Sequence, residues 1–202
     1  MAQLLSPEKS HPTWEIAYLY PDQGSWSEEE YLALETNRLV EYTDGYVEIL
    51  PMPTQSHQLI VAYLHAALTA FVKAAGLGCV LFAPFRVQLW PGKYREPDIL
   101  FMSAGHEERQ GEQFWQGADL VMEVISPNDR ERDEVVKKEE YARAGIAEYW
   151  LVDPQKRQIT VYFLQDGRYA IHGLFKFGDA AMSALLPGFS VEVSSVFDAS
   201  QS

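Results

Sequence analysis

Residues 97–154 read PDILFMSAGHEERQGEQFWQGADLVMEVISPNDRERDEVVKKEEYARAGIAEYWLVDP. The fold is decided by three pieces in and around this stretch. REPDILFMS (95–103), DLVMEVISP (119–127) and EYWLVDP (148–154) are short apolar runs bounded by turn residues, the pattern of strands. The first two are apolar on both faces, so they belong in the middle of a sheet. Between the second and third, Asp129 to Ala144 carries an amphipathic helical pattern. Gly145 stops it, and Ile146 is placed for a Schellman contact.

Upstream, CVLFAPFRVQLW (79–90) reads as one further strand. It is preceded by a long Ala- and Leu-rich helix, SHQLIVAYLHAALTAFVKAAG (56–76), stopped by Gly76 and Gly78. Before that helix, RLVEYTDGYVEIL (38–50) is a hairpin, because Asp44-Gly45 suits a two-residue type I′ turn. Pairing across the turn puts Val40, Tyr42, Val47 and Ile49 on one face and sets Glu41 opposite Glu48 on the other. In WSEEEY, Ser27 and Glu30 form a capping box, and Trp26 with Tyr31 has hydrophobic-staple spacing, so a short helix starts at Glu28. Downstream, TVYFLQDGRYAIH (160–172) is a hairpin turning at Asp166-Gly167. The order of helix, three strands, helix and strand predicts an α/β domain with a mixed sheet. Residues 1–25, with Pro7, Pro12, Pro21 and Gly24, read as an arm beside a single domain spanning 26–202.

The chain has 202 residues, 47% of them apolar and 13% aromatic. That is one domain's worth of chain, and it excludes global disorder and fibrous repeats. No stretch approaches the roughly 20 apolar residues of a membrane span, and the N-terminus lacks a signal-peptide pattern, so a soluble cytoplasmic protein is expected. Cys79 is the lone cysteine, which excludes an internal disulfide and a Cys-based zinc site. His11, His65, His106 and His172 fit no zinc spacing. Lys and Arg total 16 against 29 Asp and Glu, for a net charge of −13. That acidity argues against nonspecific nucleic-acid binding. Eleven of the cations nonetheless fall between residues 86 and 157.

Glu123 is an acid inside a run that must be buried, where a carboxylate is costly unless protonated, paired or bound to a cation. Asp98 raises the same question at the head of the preceding strand. Neither has an evident basic partner in its own strand. Two convergent carboxylates favour Mg²⁺ or Mn²⁺, hard ions that take oxygen ligands and keep waters. The competing reading is a buried acid satisfied by backbone N–H groups or by Arg. Asp133, Lys137 and Tyr141 recur at i, i+4 and i+8 and share one helix face. Packed over the carboxylate strands, that face brings Lys137 within reach of an attacking water or a phosphate. Alone, Lys137 reads as part of a solvated, ion-paired face. Tyr149-Trp150 and Tyr162-Phe163 read as core aromatics rather than base-stacking platforms.

PD at 97–98, EVISP at 123–127, the spaced Asp133, Lys137 and Tyr141, and AGIAEYWLVDP at 144–154 together resemble the Uma-two family of restriction-endonuclease-like proteins, within the PD-(D/E)XK nuclease superfamily. The resemblance covers about residues 27–165, including EYTDG and the helix opening at His57. It implies a restriction-endonuclease-like core in αβββαβ order. It also implies a Mg²⁺-dependent endonuclease that hydrolyses DNA, with Asp98 and Glu123 as metal ligands and Lys137 as the catalytic lysine. The residue two after Glu123 is Ile125 rather than the superfamily's Lys, so the lysine has moved to the helix, at Lys137. Glu41 matches the hairpin Glu of the family and His57 a recurring His; with Tyr141 they are auxiliary candidates. A non-catalytic binding module on this fold and a metal-dependent hydrolase of small phosphate esters are the alternatives. A single site must act twice to cut a duplex, and the 160–172 hairpin offers an apolar strand, so a homodimer is expected.

Overall fold

The structure, a computed structural model, describes residues 20–36, 38–126 and 130–201. Most of the expected arm, His11 and the expected helix start at Asp129 lie outside the described residues. Where the arm is described, the first hairpin holds it. Gln23 Nε2 donates to Val47 O at 2.8 Å, Val47 N donates back to Gln23 Oε1 at 2.9 Å, and Gly24 N donates to Gly45 O at 2.8 Å.

Helix α1 (Glu28–Leu32) opens on the expected capping box, with Glu30 N donating to Ser27 Oγ and Ser27 N to Glu30 Oε2. Strands β1 (Val40–Thr43) and β2 (Tyr46–Ile49) turn at Asp44-Gly45. Both turn residues have positive φ, 44° and 88°, as a type I′ turn requires. The register pairs Glu41 with Glu48. Helix α2 (Gln55–Ala75) is capped by Thr54 and ends at Gly76 in the left-handed region. By length and composition α2 could cross a membrane, which corrects the expectation that no stretch comes near that size. One of its faces, Ile60, Leu64, Leu68 and Val72, is built into the core.

CVLFAPFRVQLW is two strands rather than one. It breaks at Ala83-Pro84 into β3 (Gly78–Phe82) and β4 (Arg86–Trp90), which enter different sheets. Proline has no N–H with which to continue a ladder. REPDILFMS divides in the same way at Pro97. Its first part is β5 (Lys93–Arg95), which pairs with β4 across Pro91-Gly92, and its second is β6 (Ile99–Ser103). A 3-10 segment (Ala104–Arg109), β7 (Phe114–Gln116) and β8 (Leu120–Val124) follow. Helix α3 is already helical at Arg130 and Glu131, winds as a π segment over Arg132–Lys137, and continues as regular helix over Lys138–Arg143. Gly145 closes it at φ 78°, with Ile146 N donating to Tyr141 O at 3.1 Å, the expected Schellman bond. The chain then forms β9 (Glu148–Asp153), β10 (Gln158–Gln165), β11 (Arg168–Lys176), β12 (Ala180–Met182), β13 (Ser190–Glu192) and α4 (Val193–Asp198).

The main sheet has the order β11-β10-β9-β8-β6-β3, and a second sheet has the order β2-β1-β5-β4-β7. Within the main sheet β8 and β9 run parallel, joined by α3, while β6 lies between β8 and β3 and is antiparallel to both. The expected mixed sheet and αβββαβ order are therefore present as α2, β3, β6, β8, α3 and β9. Strand alternation sorts the core into two layers. Ile99, Phe101, Leu120, Met122 and Val124 pack with α2 and α4. Leu100, Met102 and Val121 pack on the opposite face with Tyr141 of α3 and with Val87 and Leu89 of the second sheet. By the same alternation Glu123, between Met122 and Val124, faces α3. Tyr149 and Trp150 are fully buried core residues, as expected.

Candidate active site

Asp98, at the head of β6, lies between two donors. Val124 N donates to its Oδ2 at 2.8 Å, and His57 Nε2 stands 3.2 Å from the same oxygen. His57, in the first turn of α2, also bonds the carbonyl of Val124 at 3.0 Å through Nε2, so this nitrogen carries the proton. Its buried Nδ1 has no hydrogen-bond partner among the described residues. Burial disfavours the imidazolium, but the bond to Asp98 and the charges of Asp98 and Glu123 outweigh it and raise the His57 pKa.

Glu123 is 3% exposed. Lys137 Nζ reaches its Oε2 at 2.9 Å, and the Tyr141 hydroxyl donates to its Oε1 at 2.5 Å. Lys137 also meets Asp133 at 3.1 Å, one helical turn back. The i, i+4, i+8 face thus packs over the carboxylate strands as the spacing predicts. As expected, neither acid has a basic partner in its own strand: Lys137 reaches Glu123 from α3, and His57 reaches Asp98 from α2. Lys137 faces inward and is 5% exposed, so the solvated-face alternative does not hold. Burial pushes the Glu123 carboxyl well above the ordinary carboxylate range. The like charges of Asp98 and Asp133 push the same way, against Lys137 and Tyr141. Lys137 is held above the usual lysine value, since Glu123, Glu41, Asp133 and Asp98 overcome its own desolvation.

Glu41 is not one of two exposed hairpin acids. It is 1% exposed and accepts from both Arg95 of β5 and Arg132 of α3. Arg132 also donates to Glu48 at 2.5 Å, so one guanidinium neutralises the like-charge pair across the hairpin. Arg95 continues to Glu140 at 2.7 Å, and Glu140 takes Lys93 at 2.6 Å. Although burial opposes it, Lys137, Arg95 and Arg132 hold the Glu41 pKa down at about 2.

Asp98, Glu123, His57, Asp133, Lys137 and Arg132 line one cleft of about 450 Å³. Of these, the residue pattern singles out Asp98, Glu123, His57 and Lys137, and it puts Asp133 on the same helix face as Lys137. It had missed Arg132, Arg95 and Glu140. A signal for Arg132 was present: Glu41 opposite Glu48 demands a nearby cation. Among the described residues no three His, Cys, Asp or Glu side chains form a ready metal cage. The acids that line the cleft are Asp98 and Glu123, from neighbouring strands, and Asp133 from α3.

A comparison with curated proteins finds no match. Among solved structures, the chain is similar to one described as a "putative nuclease belonging to DUF820" from Anabaena variabilis. The TM-score is 0.70 and the identity 19%, covering 85% of this chain and 97% of that one. That likeness concerns the fold, and it agrees with the restriction-endonuclease-like architecture. The profile of the Uma2 family, described as "Putative restriction endonuclease", matches residues 28–194, and the chain therefore belongs to the Uma2 family.

Proposed function

We propose that the protein is a divalent-metal-dependent endonuclease that hydrolyses DNA phosphodiester bonds and acts as a homodimer. The observation that carries this function is the convergence of Asp98, Glu123 and Lys137, from β6, β8 and α3, on one cleft. The donor set fits a hard ion. Asp98 Oδ2 is engaged by Val124 N and His57, which leaves Oδ1 for a ligand. Burial and neighbouring acids make the negative charge of Glu123 unfavourable without a cation. Mg²⁺ or Mn²⁺ suits two such oxygens and completes its shell with water. When bound, the ion supplies Lewis-acid polarisation of the phosphoryl group and a more acidic water.

The chain's own residues do the rest. His57 and the Val124 amide fix the Asp98 carboxylate. Tyr141 and Lys137 fix the two oxygens of Glu123. Lys137, held protonated, orients the nucleophile and offsets charge developing on the phosphate. Arg132, tied to Glu41 and Glu48, presents a second cation at the cleft. Asp98, Glu123 and Lys137 all line the cleft, and Lys137 is paired with Glu123, which favours chemistry over a binding module that keeps the acids as remnants.

One paired experiment tests this function. Mg²⁺ or Mn²⁺ should raise the melting temperature of the wild type by mass action on the native state, and the same ions should support cleavage of DNA. Asp98→Asn and Glu123→Gln should abolish both effects. Lys137→Ala should keep the melting response but lose roughly 10²-fold or more in rate, the usual weight of one preorganised charge. Lys73→Ala, at the far end of α2, is the control. Wild-type metal response in both acid variants, or equal rates for Lys137→Ala and Lys73→Ala, would rule these roles out.

A further inference from the structure

A nuclease with a net charge of −13 must find its phosphate affinity somewhere, and the cleft does not supply it. Each cation of the cleft and of the network behind it is already matched to a carboxylate: Lys137 to Glu123 and Asp133, Arg132 to Glu41 and Glu48, Arg95 and Lys93 to Glu140. Just above them, Arg130 is matched to Asp153 and Glu134. These pairs satisfy one another and leave little net positive field.

A different arrangement begins one residue further along α3. Lys138 Nζ lies over the ring of Tyr162, 5.2 Å from its centroid, and Arg143 Cζ lies over the ring of Trp90 at 4.1 Å. Neither makes an ion pair with a described carboxylate, and neither does Arg168, at the start of β11. A π face orients a cation without cancelling its charge, so the ammonium and guanidinium donors stay available to an anion. Lys138, Arg143 and Arg168 line a single groove of about 850 Å³ between the outer face of α3 and the tip of the β10–β11 hairpin. Glu139 is the one acid among its lining residues. The neighbouring Glu134 is already tied to Arg130 and Lys156.

The position suits the cleft. Lys137 and Lys138 are consecutive, about 100° apart around the helix, so the groove flanks the site on the adjoining face of the same helix. From Lys138 to Arg143 the helix rises roughly 7–8 Å, the span of two or three backbone phosphates at about 3.4 Å per nucleotide along one strand.

We propose that this groove binds the backbone phosphates of the nucleic-acid strand whose phosphodiester enters the cleft. Lys138, Arg143 and Arg168 act as phosphate contacts, and Tyr162 and Trp90 hold two of them in place. The assignment rests on the nuclease function above, and its partner is a nucleic acid rather than an acidic protein because the groove offers separate, forked cation donors along a helix axis.

The test is the salt dependence of binding. Fluorescence anisotropy of labelled DNA, as duplex and as single strand, is followed with the full-length protein in EDTA across a range of NaCl. The variant Lys138→Ala/Arg143→Ala/Arg168→Ala should bind roughly tenfold or more weakly at low salt, and its log–log salt slope should fall by about 2–3, since each of three lost phosphate contacts removes about 0.7–0.9. Lys73→Ala/Lys176→Ala should keep the wild-type slope. The charge-retaining Lys138→Arg/Arg143→Lys/Arg168→Lys should restore it, which separates lost contacts from lost folding. A triple alanine variant with the wild-type slope overturns the groove. So does a wild type that binds no DNA. A wild type that binds with the expected slope but never cleaves overturns the nuclease function and leaves the groove standing. Cleavage by both wild type and triple variant with unchanged slopes overturns the groove alone.

Discussion

Glu41 and Glu148 are both buried acids, and only their surroundings separate their roles. Glu148 is fully buried and accepts from Trp150 Nε1, Ser183 Oγ, Ala184 N and Leu185 N at 2.6–2.7 Å. Its partners are neutral donors that tie residues 183–185 to β9, a structural task. Glu41 is instead ringed by Arg95, Arg132 and the more distant Lys137. Its pKa falls from 4.5 to about 2 on folding. The folded value lies below the unfolded one, so the stabilisation is complete above about pH 4.5 and is lost as pH falls toward 2. A shift of that size corresponds to about 3 kcal/mol. Glu41→Gln should therefore destabilise the protein by about 3–5 kcal/mol near neutral pH, because it leaves two guanidinium groups without their buried partner. The gap between variant and wild type should shrink as pH falls from 5 to 2. Urea unfolding across that range measures it, and a constant gap would show that Glu41 is not the ionised anchor.

The first hairpin carries Glu41 into the site, and its turn can be tested against a second glycine. Gly45 and Gly145 both have positive φ, 88° and 78°. A Cβ on Gly145 would meet nothing within 4 Å, whereas one on Gly45 would come 2.7 Å from the carbonyl oxygen of Gly24. Gly145→Ala should therefore cost about 1 kcal/mol, the conformational term alone. Gly45→Ala should cost clearly more than that and also weaken metal response, since the strand holding Glu41 must shift. Equal losses in denaturant would show that the contact with the arm relaxes freely. Among the helices, the expected regular run from Asp129 departs over Arg132–Lys137, where the backbone winds as a π segment. That segment keeps Asp133 and Lys137 buried while Val135 and Val136 stay exposed. π turns occur often at functional sites, and neither residue pattern nor propensity announces them.

For the whole molecule, β11 is an outer edge of the main sheet, with Ile171 and Leu174 exposed at 61% and 48%. An open apolar edge favours pairing with a second copy. Light scattering should give twice the chain mass of 23.0 kDa, and Ile171→Lys should return the monomer. A wild-type monomer at cleavage concentrations would exclude the dimer. By itself the sequence determined what depends on local order: the hairpin turns at Asp44-Gly45 and Asp166-Gly167, the capping box, the glycine stops and the αβββαβ succession, and it singled out Asp98, Glu123, Lys137, Glu41 and His57 as candidates. Alternation along β8 was enough to put an acid among core residues, since period-2 geometry is local. What only the tertiary structure decided is pairing between distant segments. It split one expected strand at Pro84 between two sheets, brought Arg95 and Arg132 to Glu41 from 54 and 91 residues away, and supplied Glu123 with its lysine. Charge compensation acts through space, so helix spacing can put Lys137 on a face toward the carboxylate strands, but it does not name Arg95 or Arg132 as the cations that Glu41 meets.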